Sequence, residues 1–189
     1  MLILASQSPR RSEILRRAGI SFVVRPANVD ESFLPGESPA GYVQRVAQQK
    51  AAAIAASPAD VVLGADTVVV IGGQILGKPQ DAAGALRMLE MLSGREHEVL
   101  TGICIRRGAA TIVDLAATRV WFLPLTHKDI ADYVATGEPM DKAGAYAIQG
   151  LASKFIQRIE GSYSNVVGLP IELVGEHLRK YGDGLHMAQ

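Results

Sequence analysis

The sequence predicts an α/β domain built on a mixed β-sheet. Segments with helical spacing of apolar residues alternate with short β-branched runs through the first half. Two long strand-like runs, 96–106 and 111–122, then meet around Arg107-Gly108 as an antiparallel meander. No internal repeat, low-complexity stretch or linker divides the chain, which favours one α/β domain, with a second lobe expected from the 96–122 hairpin.

Each element has its own signal. Leu2 to Ala5 is a short apolar run that reads as a buried strand. Ser6-Gln7-Ser8 is a polar turn, in which Ser8 can cap a helix with Pro9 at its first position. That helix turns Ile14, Leu15 and Ala18 inward, and Gly19 ends it. Val23-Val24 is a second strand, followed by an acidic loop from Asn28 to Glu37. Ser38-Pro39 repeats the cap-then-proline signal and opens a helix to about Ala56, with Tyr42, Val43, Val46, Ala47 and Ile54 on its buried side.

Val61 to Leu63 reads as a central strand, interrupted by Gly64-Ala65-Asp66-Thr67 and resumed by Val68 to Ile71. Gly72-Gly73 turns a hairpin into Gln74 to Leu76. After the Gly77-Lys78-Pro79 loop, Asp81 to Leu92 is an amphipathic helix closed by Gly94. Thr126 starts a short helix with Asp129 three residues on, a capping-box variant, ending at Gly137. Ala145 to Phe155 is punctuated by glycine, Phe155-Ile156 reads as strand before a turn at Gly161, and Pro170 to Tyr181 is the last helix. The tail after Gly182 is expected to be mobile.

The 189 residues, 48% of them hydrophobic, suffice for a sizeable core in one domain or two closely packed lobes. Nineteen Lys and Arg balance nineteen Asp and Glu, so no global basic field exists to hold nucleic acid. No apolar run is long enough to span a membrane, and no basic segment precedes the apolar opening residues as in a secretory signal. Cys104 is the only cysteine, which excludes an intrachain disulfide, fits a reducing compartment and, in Gly102-Ile103-Cys104-Ile105, reads as a buried small hydrophobe. A cytoplasmic location is expected.

The chemistry centres on Asp66. A carboxylate between Val61-Val62-Leu63 and Val68-Val69-Val70 must be compensated by partners or a metal, unless it is a turn aspartate bonded to its own backbone. The end of a buried strand is a favoured ligand position in α/β sheets. Glu31, on the acidic loop, could join Asp66 in holding a divalent cation through oxygen ligands. Arg10 and Arg11 occupy the first turn of a helix, where the dipole disfavours cations; they are either solvated or joined by an anion. Lys50 and Lys78 add two cations, the latter on a stiff loop. Hydrolysis of a phosphate chain needs such charge neutralisation, and arginine suits a bidentate grip on phosphate. There is no phosphate loop, dinucleotide fingerprint or zinc-spaced His/Cys cluster, and His97, His127, His177 and His186 read as surface or capping residues.

Taken in order, these segments resemble the Maf family of nucleotide pyrophosphatases. Leu2 to Arg11 is similar to its opening signature and Gly64-Ala65-Asp66-Thr67-Val68-Val69 to its acid motif. Gly77-Lys78-Pro79, Ser93-Gly94, Thr101-Gly102, Asp141 to Gly150 and Tyr163 to Pro170 follow in the family's order. The resemblance implies a fold shared with the inosine triphosphate pyrophosphatases: an elongated mixed sheet flanked by helices, two lobes and a central cleft. It implies a divalent metal, Mg2+ or Mn2+, a nucleoside triphosphate substrate and often a homodimer. The family's proton acceptor maps onto Asp66 and its specificity positions onto Arg10, Thr67 and Gln149. Phosphate and metal contacts map onto Ser6, Arg11, Glu31, Lys50 and Lys78.

Ala145-Tyr146-Ala147-Ile148-Gln149-Gly150 is similar to the branch that hydrolyses dTTP and UTP. An amide at Gln149 offers both a donor and an acceptor to a uracil or thymine edge. The alternatives are the same chemistry on 7-methyl-GTP or another non-canonical nucleotide, or a non-catalytic nucleotide-binding regulator of septum formation.

Overall fold

A computed structural model describes residues 1–181; the tail after Gly182, with His186, lies outside the described residues. β1 (Leu2–Leu4), α1 (Pro9–Arg17) and β2 (Val23–Val24) open the chain, and α2 (Pro39–Ala52) leads to β3 (Val61–Ile71). β4 (Gln74–Leu76), α3 (Ala82–Leu92), β5 (Glu96–Arg107), β6 (Ala110–Phe122) and α4 (His127–Ala135) follow. Three short 3₁₀ turns (Glu138–Asp141, Ala143–Ala145 and Leu151–Phe155) lead to β7 (Ile156–Glu160), α5 (Tyr163–Val167) and α6 (Ile171–Arg179).

The seven strands form one mixed sheet, ordered β2-β1-β3-β5-β6-β7, with β4 on β3. β1 runs parallel to β2 and to β3, whereas β4 pairs antiparallel with β3 and β7 with β6. The α/β class and the helix-flanked mixed sheet therefore agree with the sequence. Two compact units divide the chain: Met1–Thr67, Thr101–Ala116 and Gly168–Gln189 make one, Val68–Leu100 and Ala117–Val167 the other. The tip of the β5–β6 hairpin falls in the first unit, so the second is not the hairpin lobe expected from sequence.

Local chemistry explains most boundaries. Ser38 accepts from Gly41 N and Asp81 from Gly84 N at the starts of α2 and α3, and Thr126 and Asp129 form a complete capping box at α4. Ser8 corrects the expectation: its side chain makes no cap hydrogen bond, and its own N–H donates to Ser6 Oγ at 3.2 Å. α2 ends at Ala52, earlier than the predicted Ala56, because the chain turns there to bury Ile54. Phe155 closes a 3₁₀ turn instead of starting a strand, and α5 carried no sequence signal of its own.

The larger correction concerns β3. It runs without a break through Gly64-Ala65-Asp66-Thr67, so that stretch is no turn and Asp66 lies within the strand. The glycine serves packing. Side chains alternate across a strand, so residues 62, 64 and 66 share one face. In the first unit that face meets α2: Ile3, Ala5, Val62 and Cys104 pack with Ala47, Ala51 and Ile54. A Cβ on Gly64 would lie 2.9 Å from Ala51 N and nearer still to the Ala47 carbonyl oxygen. A Cβ on Gly102 would lie 2.6 Å from Gln44 N and would collide with the Val43 carbonyl. Two glycines on neighbouring strands thus let the helix backbone sit directly on the sheet. Cys104, as expected, is buried here, and burial pushes its thiol up to about 11.

The second unit has an aromatic centre. Phe122 meets Tyr146 edge-on at 4.9 Å and His97 at 5.1 Å, while Phe155 meets Tyr133 at 5.4 Å. His97 reads from sequence as a surface or capping residue but is buried, its Nε2 2.9 Å from Tyr146 Oη and its Nδ1 without a hydrogen-bond partner among the described residues. His177 corrects the same reading in the first unit: buried on α6, it lies 2.7 Å from Asp114 and 3.2 Å from Lys180 Nζ.

Two tests follow from this packing. Gly64→Ala should destabilise the fold by about 2 kcal/mol, because the obstacle is helix backbone and cannot rotate away; urea unfolding would reveal it. Burial lowers the His97 pKa from 6.5 to about 4, so the folded protein prefers the neutral ring. That preference is fully present above pH 6.5 and is lost as pH falls to 4, costing on the order of 3 kcal/mol. Replacing His97 with Gln should flatten that part of the stability–pH curve.

Candidate active site

Six of the residues singled out from sequence come together in the first unit. Lys50, in the last turn of α2, reaches from the helix to β3, where its Nζ lies 2.8 Å from Asp66 Oδ1. The same ammonium lies 2.8 Å from Glu31 Oε1. Lys50 and Asp66 are buried, and Glu31 is about half exposed. The helix C-terminus favours a cation at Lys50, and the cation compensates the buried carboxylate. The reading of Asp66 as a turn aspartate bonded to its own backbone therefore falls.

Glu31 is held by a residue that sequence did not single out. Tyr42 on α2 donates its hydroxyl to the Glu31 carbonyl oxygen at 2.8 Å. Burial first, then the charges of Asp66 and Glu31, push this phenol up to about 12, so it is a proton donor at neutral pH. Arg45, one turn further along α2, binds both Glu37 carboxylate oxygens and the Ser32 carbonyl, fixing the loop beyond Glu31. A tyrosine three residues after a proline cap looks like core packing, which explains why only the fold discloses this role.

The opposite face of β3 is organised by Arg11. The guanidinium is buried and engages four acceptors: Gly168 O at 2.8 Å, Ala65 O at 2.9 Å, Ser6 Oγ at 3.0 Å and Thr67 Oγ1 at 3.1 Å. Burial lowers its pKa while the field of Asp66 opposes that, and arginine remains charged. The solvated reading of Arg11 falls, since the guanidinium is buried and protein oxygens take four of its five N–H bonds. Thr67 Oγ1 also lies 2.9 Å from Thr101 Oγ1 and donates to Gly168 O at 3.3 Å. Arg10, its neighbour on α1, is half-buried.

Lys78 and Gln149 belong to the second unit, and both are exposed. The Lys78 loop is tied to the segment leading to Gln149, since Gly144 N donates to Gly77 O at 3.0 Å. Among the described residues no cluster of three or more His, Cys, Asp or Glu side chains could hold a metal by itself. The oxygen donors of Glu31 and Asp66 are brought together on the Lys50 ammonium, 2.8 Å from each. That set fits a hard divalent ion that takes one or two carboxylates and completes its shell with phosphate and water.

A mixed sheet flanked by helices, with a buried acid on its central strand paired to a lysine beside a second acid, defines an α/β protein with a charged site in its first unit. The Maf-like protein family matches residues 1–181, and the chain belongs to the Maf family. It is 56% identical over 185 residues to a dTTP/UTP pyrophosphatase of Anaeromyxobacter dehalogenans (strain 2CP-C), covering 96% of this chain and 94% of that one. It is 53% identical over 182 residues to a dTTP/UTP pyrophosphatase of Koribacter versatilis (strain Ellin345), covering 96% and 94%. Among solved structures, the Staphylococcus aureus Ham1 protein shares the fold with a TM-score of 0.53 at 15% identity, covering 95% of this chain and 98% of that one. No helix among the described residues is long and apolar enough to cross a membrane.

The buried ion pair can be tested without substrate. Lys50→Met should cost about 3 kcal/mol in urea unfolding, because it leaves Asp66 buried without its partner. The double variant Lys50→Met/Asp66→Asn should recover much of that loss. Additive losses would show that the pair is not coupled.

Proposed function

We propose that this protein hydrolyses dTTP and UTP to the nucleoside monophosphate and diphosphate. The observation that carries the reading is the Asp66–Lys50–Glu31 grouping: a buried carboxylate held by an ammonium beside a second carboxylate. The relatives above 50% identity, which bear the name dTTP/UTP pyrophosphatase, support the choice of base.

Lys50 occupies Asp66 Oδ1 and thereby leaves the second carboxylate oxygen to accept a proton from the water that attacks the α-phosphorus. Glu31 and Asp66 would hold a divalent cation, magnesium or manganese, which neutralises phosphate charge and lowers the pKa of a bound water. The departing diphosphate is stabilised by the basic side chain of Arg10 on the first unit. Arg11 retains one N–H for a phosphate oxygen, while its other bonds orient Ser6 and Thr67 at the edge of the site. Gln149 reads the pyrimidine edge through its amide.

The decisive experiment is diphosphate release with magnesium or manganese against dTTP, UTP, CTP, ITP and 7-methyl-GTP. Activity should be highest with dTTP and UTP, vanish with a chelator, and fall at least about a hundredfold in Asp66→Asn. Near-normal turnover by folded Asp66→Asn would overturn the assignment of the base. No release from any nucleotide by the folded, metal-supplied protein would overturn the enzymatic reading in favour of a nucleotide-binding regulator.

A further inference from the structure

The segment carrying Gln149 is held by a hydrogen-bond network that the reaction does not call for. Tyr133, buried on α4, donates its hydroxyl to Glu138 Oε1 at 2.8 Å and accepts from Ala147 N at 3.2 Å. The Glu138 carboxylate accepts from Leu151 N with both oxygens, each at 3.1 Å. The Glu138 backbone is fixed in turn, its N–H donating to Thr136 Oγ1 and its carbonyl accepting from Lys142 Nζ, both at 3.2 Å. Gly150 N closes the loop on Ala147 O at 3.0 Å.

The two ends of a short loop, residues 147 and 151, are therefore tied to one phenol–carboxylate pair. Gln149 stands exposed between them. Gly150 is part of the device, because a Cβ there would run into the Glu138 carboxylate. An amide side chain on an untethered loop would lose loop freedom each time it bound a base, and a loop held in advance avoids that loss.

We infer that Tyr133 and Glu138 are positioning residues for base recognition: together they fix the Ala147–Leu151 loop so that Gln149 is presented to the pyrimidine. The inference rests on the proposed role of Gln149 as base reader. Neither residue touches the reacting atoms, so their loss should act on substrate binding and choice and leave the chemical step intact.

The experiment is a double-mutant cycle read with dTTP and dCTP. Tyr133→Phe and Glu138→Ala should each raise KM for dTTP about five- to tenfold, leave kcat within about twofold, and shrink the dTTP-to-dCTP ratio of kcat/KM. Glu138→Gln keeps an acceptor oxygen and should restore most of the discrimination. Combining Tyr133→Phe with Gln149→Ala should add nothing to Gln149→Ala alone, as befits residues acting through one another. Hydrogen exchange should show faster exchange at the Ala147 and Leu151 amides in Tyr133→Phe, with the rest of the protein unchanged. Equal loss of kcat on both nucleotides, additive with Gln149→Ala, would reduce the pair to a structural brace and overturn the inference. Unaltered discrimination in Gln149→Ala alone would instead refute the base-reader role, and the inference with it, before any clamp variant is made.

Discussion

The close approach of α2 to the sheet is the constraint on which the first unit depends. A helix normally packs on a sheet through a layer of side chains on both partners. Here Gly64 on β3 and Gly102 on β5 remove the sheet's share of that layer on two neighbouring strands. The helix backbone descends into the gap, and its small residues Ala47 and Ala51 complete the contact. Lys50 lies between them in sequence and can then bring its ammonium to Asp66 at hydrogen-bond distance while staying buried. With any larger residue at position 64, the lysine and the acid would be held apart by backbone, not by a side chain able to rotate.

The pleat of β3 then does a second job. Consecutive residues point to opposite faces, so Asp66 turns toward α2 while Ala65 and Thr67 belong to the other side. On that side Arg11 gathers the Ser6 turn, the strand and the Gly168 carbonyl around one planar cation. Lysine could not replace it, because a single ammonium lacks the forked donors that reach four acceptors lying in different directions. The unfavourable placement of this arginine at a helix N-terminus is offset by the oxygens that converge on it.

How much of this was legible in the sequence depended on whether the signal was local. The caps at Ser38 and Thr126 are short-range devices and were readable, as were the apolar stripe of α2 and the β5–β6 hairpin. Gly64 was misread as a break because the same residue serves turns and close packing, and only the helix above it decides between them. Asp66, Lys50 and Glu31 could be nominated by residue type, whereas their convergence on one position depends on the fold. Tyr42 reads from sequence only as core, and Glu138 carries no signal, for a related reason: Tyr42 holds a backbone carbonyl and Glu138 a phenol and a backbone amide, contacts that leave no trace in side-chain motifs. His97 and His177, scattered in sequence, read as surface or capping residues, whereas the fold buries one among aromatics and the other beside a carboxylate.

The hydrogen bonds that secure the acid–lysine pair come from residues of the first unit, and those that secure the Gln149 loop come from the second. Divergence in such a protein can therefore proceed on two independent tracks. Substitutions along residues 133–151 can reshape the loop around Gln149 while the acid, its lysine and the glycines beneath α2 stay as they are.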